Sequence, residues 1–236
     1  MIDKLEEIIK ESNNIVFFGG AGVSTESGIP DFRSQDGLYN MKYDYPPEYI
    51  LSDSFFYNNN EEFYRFYFDK LVNKDIKPNY THTFLKKLED VGKLKAIVTQ
   101  NIDDLHEKAG SKNIYHIHGT ISTNHCVHCN KEYSLDDIIN MDKVICECGG
   151  MIKPDVVLYG EMLPQDAYDN GLKAISEADT LIVGGTSLTV YPAAGMIHAF
   201  KGKNLIIINR DHLNVQCTLQ INDSIGETFK RINLRK

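Results

Sequence analysis

The feature that most constrains the fold is a short apolar run that ends in a cluster of glycines near the start of the chain. Residues 15–18, Ile-Val-Phe-Phe, predict a buried strand, and residues 19–25 continue as Gly-Gly-Ala-Gly-Val-Ser-Thr. Glycine lets the backbone turn sharply and lets a ligand approach the main chain. A helix that begins beyond such a turn points free N–H groups at phosphate, which is how a dinucleotide's pyrophosphate is usually bound.

This glycine run alone does not decide between a dinucleotide site and an ordinary turn between a strand and a helix. It matches G-x-G-x-x-G imperfectly, because Thr25 stands where the third glycine is expected. Other parts of the sequence are therefore needed to distinguish a dinucleotide site from an ordinary turn.

Short apolar strands alternate with helical patterns beyond this run, which is typical of a doubly wound α/β fold. The predicted strands are 94–98, 114–118, 156–158, 181–183 and 205–208, and the predicted helices are 3–12, 61–72, 81–91, 165–178, 192–200 and 224–232. Polar residues directly follow several strands, at 100–103, 118, 186–187 and 209. Because ligands bind outside the carboxyl ends of strands in open α/β sheets, we expect these residues to meet at one cleft.

Composition and charge exclude several classes of protein. The chain has 236 residues, of which 42% are apolar and 25% charged, as in a globular domain with room for a smaller insertion. A net charge of −8 argues against general nucleic-acid binding. No apolar run approaches the length of a membrane span, and residues 1–12 lack the apolar centre of a signal peptide. We therefore expect a cytoplasmic protein without nucleic-acid or membrane partners.

Four of the five cysteines lie close together in the sequence and predict a metal site. They form two pairs separated by sixteen residues, Cys126 with Cys129 and Cys146 with Cys148. This spacing favours a closed, structural zinc site over buried thiols or a redox pair. The second pair is tighter than usual and needs a turn, which Gly149 and Gly150 can supply, while His125 and His128 are alternative ligands.

An irregular stretch over residues 34–47 is rich in Tyr, Asp and Gly and has no clear period. A loop of this length inside a compact domain is either disordered or functional. The nearby aromatic residues Phe32, Tyr39, Tyr43 and Tyr45 favour the second interpretation. The sequence therefore predicts a lid over a ligand here.

Six stretches, taken together and in order, are far more specific than any one of these motifs. They are residues 20–33 with Gly-Ala-Gly-Val-Ser and Glu-Ser-Gly-Ile-Pro-Asp-Phe-Arg, residues 99–110 with Thr-Gln-Asn-Ile-Asp, the pair His118-Gly119, the four cysteines, residues 153–161, and residues 185–194 with Gly-Thr-Ser-Leu. This combination resembles the sirtuin family, the NAD-dependent protein lysine deacylases. The chain carries little beyond the family's catalytic core, as in a small bacterial-type member.

The resemblance implies a Rossmann-like doubly wound parallel sheet with a smaller zinc-binding module. Within a single catalytic domain of residues 1–236, the large NAD-binding subdomain is expected at about 1–30, 75–120 and 153–236. The small module is expected at about 31–74, which holds the cofactor loop and helices, and at 121–152, which holds the zinc ribbon. NAD and an acyl-lysine peptide would meet in the cleft between them.

The resemblance also assigns roles to individual residues. Those expected to bind NAD are Gly20, Ala21, Thr25, Asp31, Phe32, Arg33, Gln100, Asn101, Ile102, Asp103, His118, Gly185, Thr186, Ser187, Asn209 and Ile225. Those expected to pair with an extended substrate peptide are Val156, Val157, Tyr159, Gly160 and Glu161. One structural zinc ion would be held by Cys126, Cys129, Cys146 and Cys148.

The implied reaction removes an acetyl or other neutral acyl group from a protein lysine and yields nicotinamide and O-acyl-ADP-ribose. Cleavage of the nicotinamide–ribose bond makes the sugar electrophilic, so the acyl oxygen can attack it. Asn101 and Asp103 are the catalytic residues expected to orient nicotinamide and a water. His118 is expected to act as the base on a ribose hydroxyl, since histidine titrates near neutral pH.

Other functions remain open at this point. Desuccinylating members carry a Tyr-x-x-Arg pair, but the matching positions here are Tyr64 and Tyr67, so we expect neutral acyl groups rather than succinyl. A protein mono-ADP-ribosyltransferase would use the same NAD pocket, and a non-enzymatic NAD or ADP-ribose sensor could carry the same zinc ribbon. The presence of His118 argues against the sensor, and the missing third glycine argues against an ordinary dehydrogenase.

Overall fold

A computed structural model describes residues 1–32, 37–38 and 43–233 of the chain. Its strands are β1 (Ile15–Gly19), β2 (Leu94–Thr99), β3 (Ile114–His116), β4 (Gly119–Cys126), β5 (Glu132–Ser134), β6 (Ile152–Val156), β7 (Thr180–Gly184), β8 (Asn204–Ile208) and β9 (Leu219–Ile221). Its α-helices are α1 (Ile2–Glu11), α2 (Pro47–Ile50), α3 (Asp53–Asn58), α4 (Asn60–Lys70), α5 (Tyr80–Asp90), α6 (Leu105–Lys108), α7 (Leu135–Ile139), α8 (Gln165–Glu177) and α9 (Ile225–Lys230).

Six strands form a parallel sheet in the order β3-β2-β1-β7-β8-β9. The chain moves outward from β1 to β3, returns to β7 beside β1, and then moves outward on the other side. This reversal makes the sheet doubly wound, with its switch point between β1 and β7. The predicted Rossmann-like fold is confirmed.

Both faces of the parallel sheet are covered, which explains the continuous apolar run in β1. Phe17 packs against one hydrophobic cluster, with side chains of α1, α5 and α9. Phe18 packs against the other, with side chains of α8 and of the 3₁₀ segment Ala193–Ala199. Every residue of β1 is buried, so the strand lies at the centre of the core.

A second, antiparallel sheet of order β5-β4-β6 forms the smaller module together with α2, α3, α4 and α7. Its core is aromatic, with Phe55, Phe56, Phe63, Phe66 and Tyr67 all buried. The small sheet takes in β6, so it extends beyond residue 152. No helix in the described part of the chain is long and apolar enough to cross a membrane.

Most predicted elements are confirmed, and the exceptions have local causes. Instead of an α-helix, the glycine run leads into two 3₁₀ turns, Ala21–Val23 and Thr25–Ser27. Left-handed Gly28, at φ 93°, ends the second turn, and Pro30 lacks the N–H that a longer helix would need. The helix expected over 192–200 is also a 3₁₀ segment, in which Gly195 weakens any α-helical preference.

Two strands lie differently from the prediction. The strand expected at 156–158 is β6, which ends at Val156 because its ladder with β4 ends there. The strand expected at 114–118 is β3, which ends at His116 and leaves His118 in a turn. The elements α2, α3, α6, α7, β4, β5 and β9 were not predicted.

The lid predicted over 34–47 lies partly outside the described residues, as does Tyr39. Of its described aromatic residues, Tyr43 packs on Phe66 with ring centroids 4.9 Å apart. Tyr45 packs on Phe55 with centroids 5.3 Å apart. The lid itself stays a prediction.

Candidate active site

A cavity of about 670 Å³ lies at the carboxyl ends of the parallel strands and reaches residues of the small module. Its walls include the loops after β1, β2, β7 and β8 and the segment that leads into α9. The polar residues after these strands therefore do converge, as the sequence predicts. All the NAD-site and peptide-site residues named above line this cavity, except for Asp103 and for Arg33, which is outside the described residues.

The glycine loops after β1 and β7 touch each other at the switch point. The Gly22 N–H donates to the Gly185 carbonyl at 2.8 Å. A Cβ on Gly22 would lie 2.7 Å from the Gly185 Cα, and one on Gly20 would lie 2.8 Å from the Gly185 carbonyl oxygen. These glycines are thus required for the contact between two loops, in addition to any role in admitting a ligand.

His118 lies in the two-residue turn between β3 and β4, on the wall of the cavity. Its Nδ1 is 2.9 Å from the Gln100 carbonyl oxygen. A carbonyl only accepts, so Nδ1 carries the proton and Nε2 is left as the basic nitrogen. Burial lowers the pKa of His118, although the Gln100 carbonyl opposes this, so the imidazole is neutral at pH 7.

The Gln100 side chain links the β2 loop to the β7 loop. Its Nε2 donates to the Thr186 hydroxyl at 3.0 Å, and the Leu188 N–H donates to the same oxygen at 3.2 Å. Both acceptor positions of that hydroxyl are then used, so its proton is the part that a ligand can receive. A hydroxyl donor on the cavity wall suits an anionic group.

Asn101, Ser24 and Asp103 form a hydrogen-bonded chain behind the cavity wall. The Asn101 amide donates to the Ser24 hydroxyl at 3.0 Å, and that hydroxyl donates to Asp103 at 2.8 Å. Asp103 also accepts from the Leu105 N–H at 3.1 Å, where α6 begins. Burial raises the pKa of Asp103, partly offset by the Ser24 hydrogen bond. Asn101 lines the cavity, whereas Asp103 supports it from behind.

The segment 156–161, expected to pair with a peptide, is tied at several points. The Val157 N–H donates to the His118 carbonyl at 2.9 Å, and the Tyr159 N–H donates to the Leu51 carbonyl at 2.9 Å. The Glu161 carboxylate accepts from the Leu158 N–H at 2.8 Å and pairs with the Lys153 ammonium at 3.0 Å. These contacts therefore fix the segment as a wall of the cavity next to His118.

The four clustered cysteines lie in the small module, and none of them lines the cavity. Their sulfur atoms lie within 4.8 Å of one another, with Cys126–Cys148 at 3.4 Å and Cys129–Cys146 at 3.5 Å. Tetrahedral zinc with bonds of about 2.3 Å needs sulfur atoms roughly 3.8 Å apart, so the four thiols fit this ion. A hydrogen bond from the Tyr133 hydroxyl at 3.1 Å lowers the pKa of Cys146 to about 6, towards the thiolate that a metal needs.

The tight second cysteine pair has the turn that the sequence predicts. Gly149 is left-handed at φ 84°, and its N–H donates to the Cys146 carbonyl at 2.8 Å. The alternative ligand His125 is 2.7 Å from Asp155 instead. Neither His125 nor His128 belongs to the four-residue metal-ligand group found among the described residues.

Comparison with known proteins decides the family. Residues 20–192 match the model of the Sir2 family. The chain belongs to the Sir2 family. A Sir2 relative from Clostridium acetobutylicum, named NAD-dependent protein deacetylase, is 55% identical over 238 residues, which cover 98% of this chain and 97% of that protein. A protein of the same name from Staphylococcus aureus is 44% identical over 236 residues and covers 98% of this chain and 97% of its own.

Solved Sir2 structures have the same fold. A Sir2 complex with a p53 peptide and NAD+ has a TM-score of 0.86 at 37% identity, covering 98% of this chain and 96% of that chain. A Sir2 structure with deacetylated p53 peptide and 3′-O-acetyl ADP-ribose has a TM-score of 0.89 at 38% identity, with coverage of 98% and 96%.

Several residues on the wall of this Sir2 cavity were not predicted. Arg210 and Asp211 follow β8 directly, so the rule that placed Asn209 at the cleft could have found them. Leu51 and Leu71 also line the cavity, but they reach it through the packing of α2 and α4, for which the sequence carries no local signal. The residues 223–224, just before α9, also line the cavity.

Proposed function

We propose that this Sir2 protein removes acetyl groups from protein lysines with NAD as co-substrate, giving nicotinamide and O-acetyl-ADP-ribose. The observation that carries the proposal is His118, whose Nδ1 is held by the Gln100 carbonyl at 2.9 Å on the wall of a cavity that also contains both glycine loops. The relatives named NAD-dependent protein deacetylase, at 44% and 55% identity, support it.

We propose that NAD lies along the carboxyl edge of the sheet, across the switch point. The glycine loops, Thr186 and Ser187 would hold the pyrophosphate, and Asn209 and Ile225 would hold the adenosine. The remaining NAD residues predicted above, among them Arg33, would surround the nicotinamide and its ribose. Bound there, NAD supplies a ribose carbon that becomes electrophilic when nicotinamide leaves.

The side chains of His118, Asn101 and Asp103 would then move one proton and orient the reacting groups. His118 takes the proton of a ribose hydroxyl at Nε2, and the Gln100 carbonyl stabilises the resulting cation through Nδ1. Asn101 orients the nicotinamide side or a water with its amide, which Ser24 holds at 3.0 Å. Asp103 acts one step further back, because it fixes Ser24.

We propose that the acylated peptide binds as an extended strand against residues 156–161. Main-chain groups supply affinity in this mode, and side-chain pockets supply selectivity. The ties of Val157 and Tyr159 to the backbone of His118 and Leu51 keep the segment in place for such pairing. Localisation in the cytoplasm stays a prediction.

We propose that the four thiols hold one zinc ion with a structural role. Four sulfur ligands leave no open position on a tetrahedral ion, so the ion would supply folding stability rather than chemistry. We also keep, as a proposal, the division into a large NAD-binding subdomain and a small zinc module, with the end of the module moved from residue 152 to the end of β6 at Val156.

The expected acyl preference rests on two tyrosines of α4, Tyr64 and Tyr67. The Tyr64 hydroxyl donates to the Ile152 carbonyl at 2.6 Å, and Tyr67 is fully buried, so neither lines the cavity. A succinyl carboxylate would therefore lack a bidentate arginine partner at these positions. We expect acetyl- and myristoyl-lysine peptides to be turned over faster than a succinyl-lysine peptide of the same sequence. Fastest turnover of the succinyl peptide would contradict this.

The deciding experiment incubates the purified protein with NAD and an acetyl-lysine peptide and weighs all products by mass spectrometry. A peptide about 42 Da lighter, which is the mass change when one acetyl group leaves a lysine, together with O-acetyl-ADP-ribose supports deacetylation. Histidine general bases typically contribute about 10²–10⁴-fold to such steps. His118→Ala should therefore lose at least about 100-fold in kcat/KM, while the exposed-site control His198→Ala keeps wild-type activity.

Two other outcomes of this experiment would replace the proposal. A stable gain of ADP-ribose on protein would indicate mono-ADP-ribosyl transfer. Binding of NAD without any turnover would indicate a sensor. Full activity of His118→Ala would remove the mechanism.

A further inference from the structure

The Glu26 carboxylate joins the loop after β1 to helix α9, near the other end of the chain. Its Oε1 accepts a hydrogen bond from the Ser224 hydroxyl at 2.5 Å and another from the Gly226 N–H at 3.0 Å. The sequence motif contains Glu26, but none of the roles assigned so far uses it. We call this three-residue contact, Glu26 with Ser224 and Gly226, the α9 latch.

The α9 latch is a close-fitting contact. A Cβ on Gly226 would lie 2.0 Å from Glu26 Oε2, so no larger residue fits without moving one partner. The Ser224 hydroxyl donates to Glu26 and accepts from the Glu227 N–H at 3.4 Å, so it also caps α9. The same three groups thus begin the helix and attach it to the loop.

Both sides of the α9 latch carry walls of the cavity. Thr25 and Glu26 line it from the loop, and Ser224 and Ile225 line it from α9. Ile225 lies between the two donors and is only 3% exposed. Its Cδ1 would be 2.9 Å from a Cβ on Gly184, the last residue of β7, so Ile225 packs directly beside the switch point.

The catalytic histidine is fixed by different contacts. His118 is held by the Gln100 carbonyl at 2.9 Å, and its turn follows β3, on the opposite side of the switch point from β9 and α9. Loss of the α9 latch therefore loosens one wall of the cavity without touching the groups that hold His118.

We propose that Glu26 is a positioning residue that sets the affinity for NAD by fixing Thr25 and Ile225, which line the cavity from the loop and from α9. This rests on the proposed function, since NAD is the ligand. Without the latch, binding of NAD has to order the loop and the helix. The free-energy cost of this ordering makes the binding of NAD weaker. The rate of the bound complex stays the same, because His118 is unaffected and Ser24 keeps its own hydrogen bonds to Asn101 and Asp103.

The test compares three variants by steady-state kinetics with saturating acetyl-lysine peptide. Glu26→Ala should raise KM for NAD about tenfold and leave kcat within about twofold, which is the pattern of lost ground-state binding. Glu26→Gln should stay within about twofold of wild type in both constants, because an amide oxygen can accept both hydrogen bonds. Glu227→Ala is the matched control, since this α9 carboxylate is ion-paired with Lys230 at the surface and should change neither constant.

The variant Gly226→Ala covers the case in which Glu26→Ala does not fold. Gly226→Ala keeps Glu26 but forces the contact open, and alanine is otherwise favourable in a helix. It should raise KM for NAD with kcat unchanged. In the double variant Glu26→Ala/Gly226→Ala the two effects should not add, because both act on one contact.

Direct titration of NAD by calorimetry separates this proposal from the proposed function. If wild type binds NAD and Glu26→Ala binds it about tenfold more weakly, the latch stands even when no deacetylation is seen. An unchanged KM and Kd in Glu26→Ala overturns the latch. So does a loss confined to kcat, or a Glu26→Gln variant as weak as Glu26→Ala, since charge rather than positioning would then be responsible.

Discussion

Single glycines decide whether the turn that carries His118 can form. Gly119, next to His118, is left-handed at φ 75°, and a Cβ there would lie 1.8 Å from the Asp155 carbonyl oxygen. Gly92 has the same φ of 75°, but nothing lies within 4 Å of a Cβ at that position. A comparison of alanine substitutions at the two positions therefore separates the effect of backbone strain from that of a steric clash.

Gly119→Ala should be far more damaging than Gly92→Ala. The strain common to both costs about 1–2 kcal/mol. The clash with Asp155 adds to it, so we expect Gly119→Ala to lose roughly 4 kcal/mol or more in the free energy of unfolding. Urea unfolding measures both, and kcat/KM should fall only for Gly119→Ala because its turn carries His118. Equal losses in the two variants would show that the carbonyl contact is unimportant.

At this scale the sequence identifies which residues meet but not which of them line the cavity. The described residues predicted to bind NAD, other than Asp103, reach the cavity because each follows a parallel strand or lies in a loop at its carboxyl end. Asp103 is in the same run as Gln100 and Asn101, yet it turns towards Ser24 and α6. Such a choice depends on side-chain partners that are distant in sequence, and no local pattern contains it.

At the scale of elements, the local sequence predicts strands and helices with a periodic apolar pattern and misses those that form only through tertiary packing. The apolar run of β1 and the amphipathic α5 are evident from sequence because burial imposes their patterns. The short helices α2 and α3 are held by the aromatic core of the small module, which involves residues from 38 to 158. In α2 and α3, which have four and six residues, the sequence carries too little periodicity for a prediction.

The cysteine element gives a prediction for the metal. Cys129→Ser removes one of four ligands, so the protein should lose its zinc and about 3 kcal/mol of stability, or roughly 6–12 °C in Tm. Cys217→Ser is the control, because Cys217 is outside the cluster. Zinc content by mass spectrometry and Tm by calorimetry check both variants. Zinc retained in Cys129→Ser at the wild-type ratio would contradict the four-thiolate site.

For the whole molecule, the doubly wound architecture was predictable but the order of strands was not. Alternating strands and helices with polar strand ends imply a parallel sheet with one cleft. Strand order depends on which side of β1 each crossover takes, and β9 was missed because its sequence, Leu-Gln-Ile, contains no continuous apolar run. The α9 latch joins residues separated by 198 positions, which a local pattern cannot reveal.

The global stability should depend on pH through two buried histidines. His82 and His106, on α5 and α6, are 0% and 1% exposed, with ring centroids 4.7 Å apart. Burial lowers the pKa of His82 to about 4 and that of His106 well below its ordinary range. Their ordinary pKa in an unfolded chain is about 6.5, so between pH 6.5 and 4 the unfolded state binds more protons.

The free energy of unfolding should therefore fall as the pH drops below 6.5, by at most about 1.4 kcal/mol per pH unit for each histidine. Above pH 6.5 both residues are neutral in either state and contribute no slope, whereas His116, whose pKa is raised, loses its stabilising effect there. Urea unfolding between pH 4.5 and 7.5 measures the slope. Replacing His106 with Leu should remove part of it, and replacing the exposed His198 with Gln should leave it unchanged. An acid slope that is identical in the His106 variant would mean that other groups, such as carboxylates, account for the loss of stability.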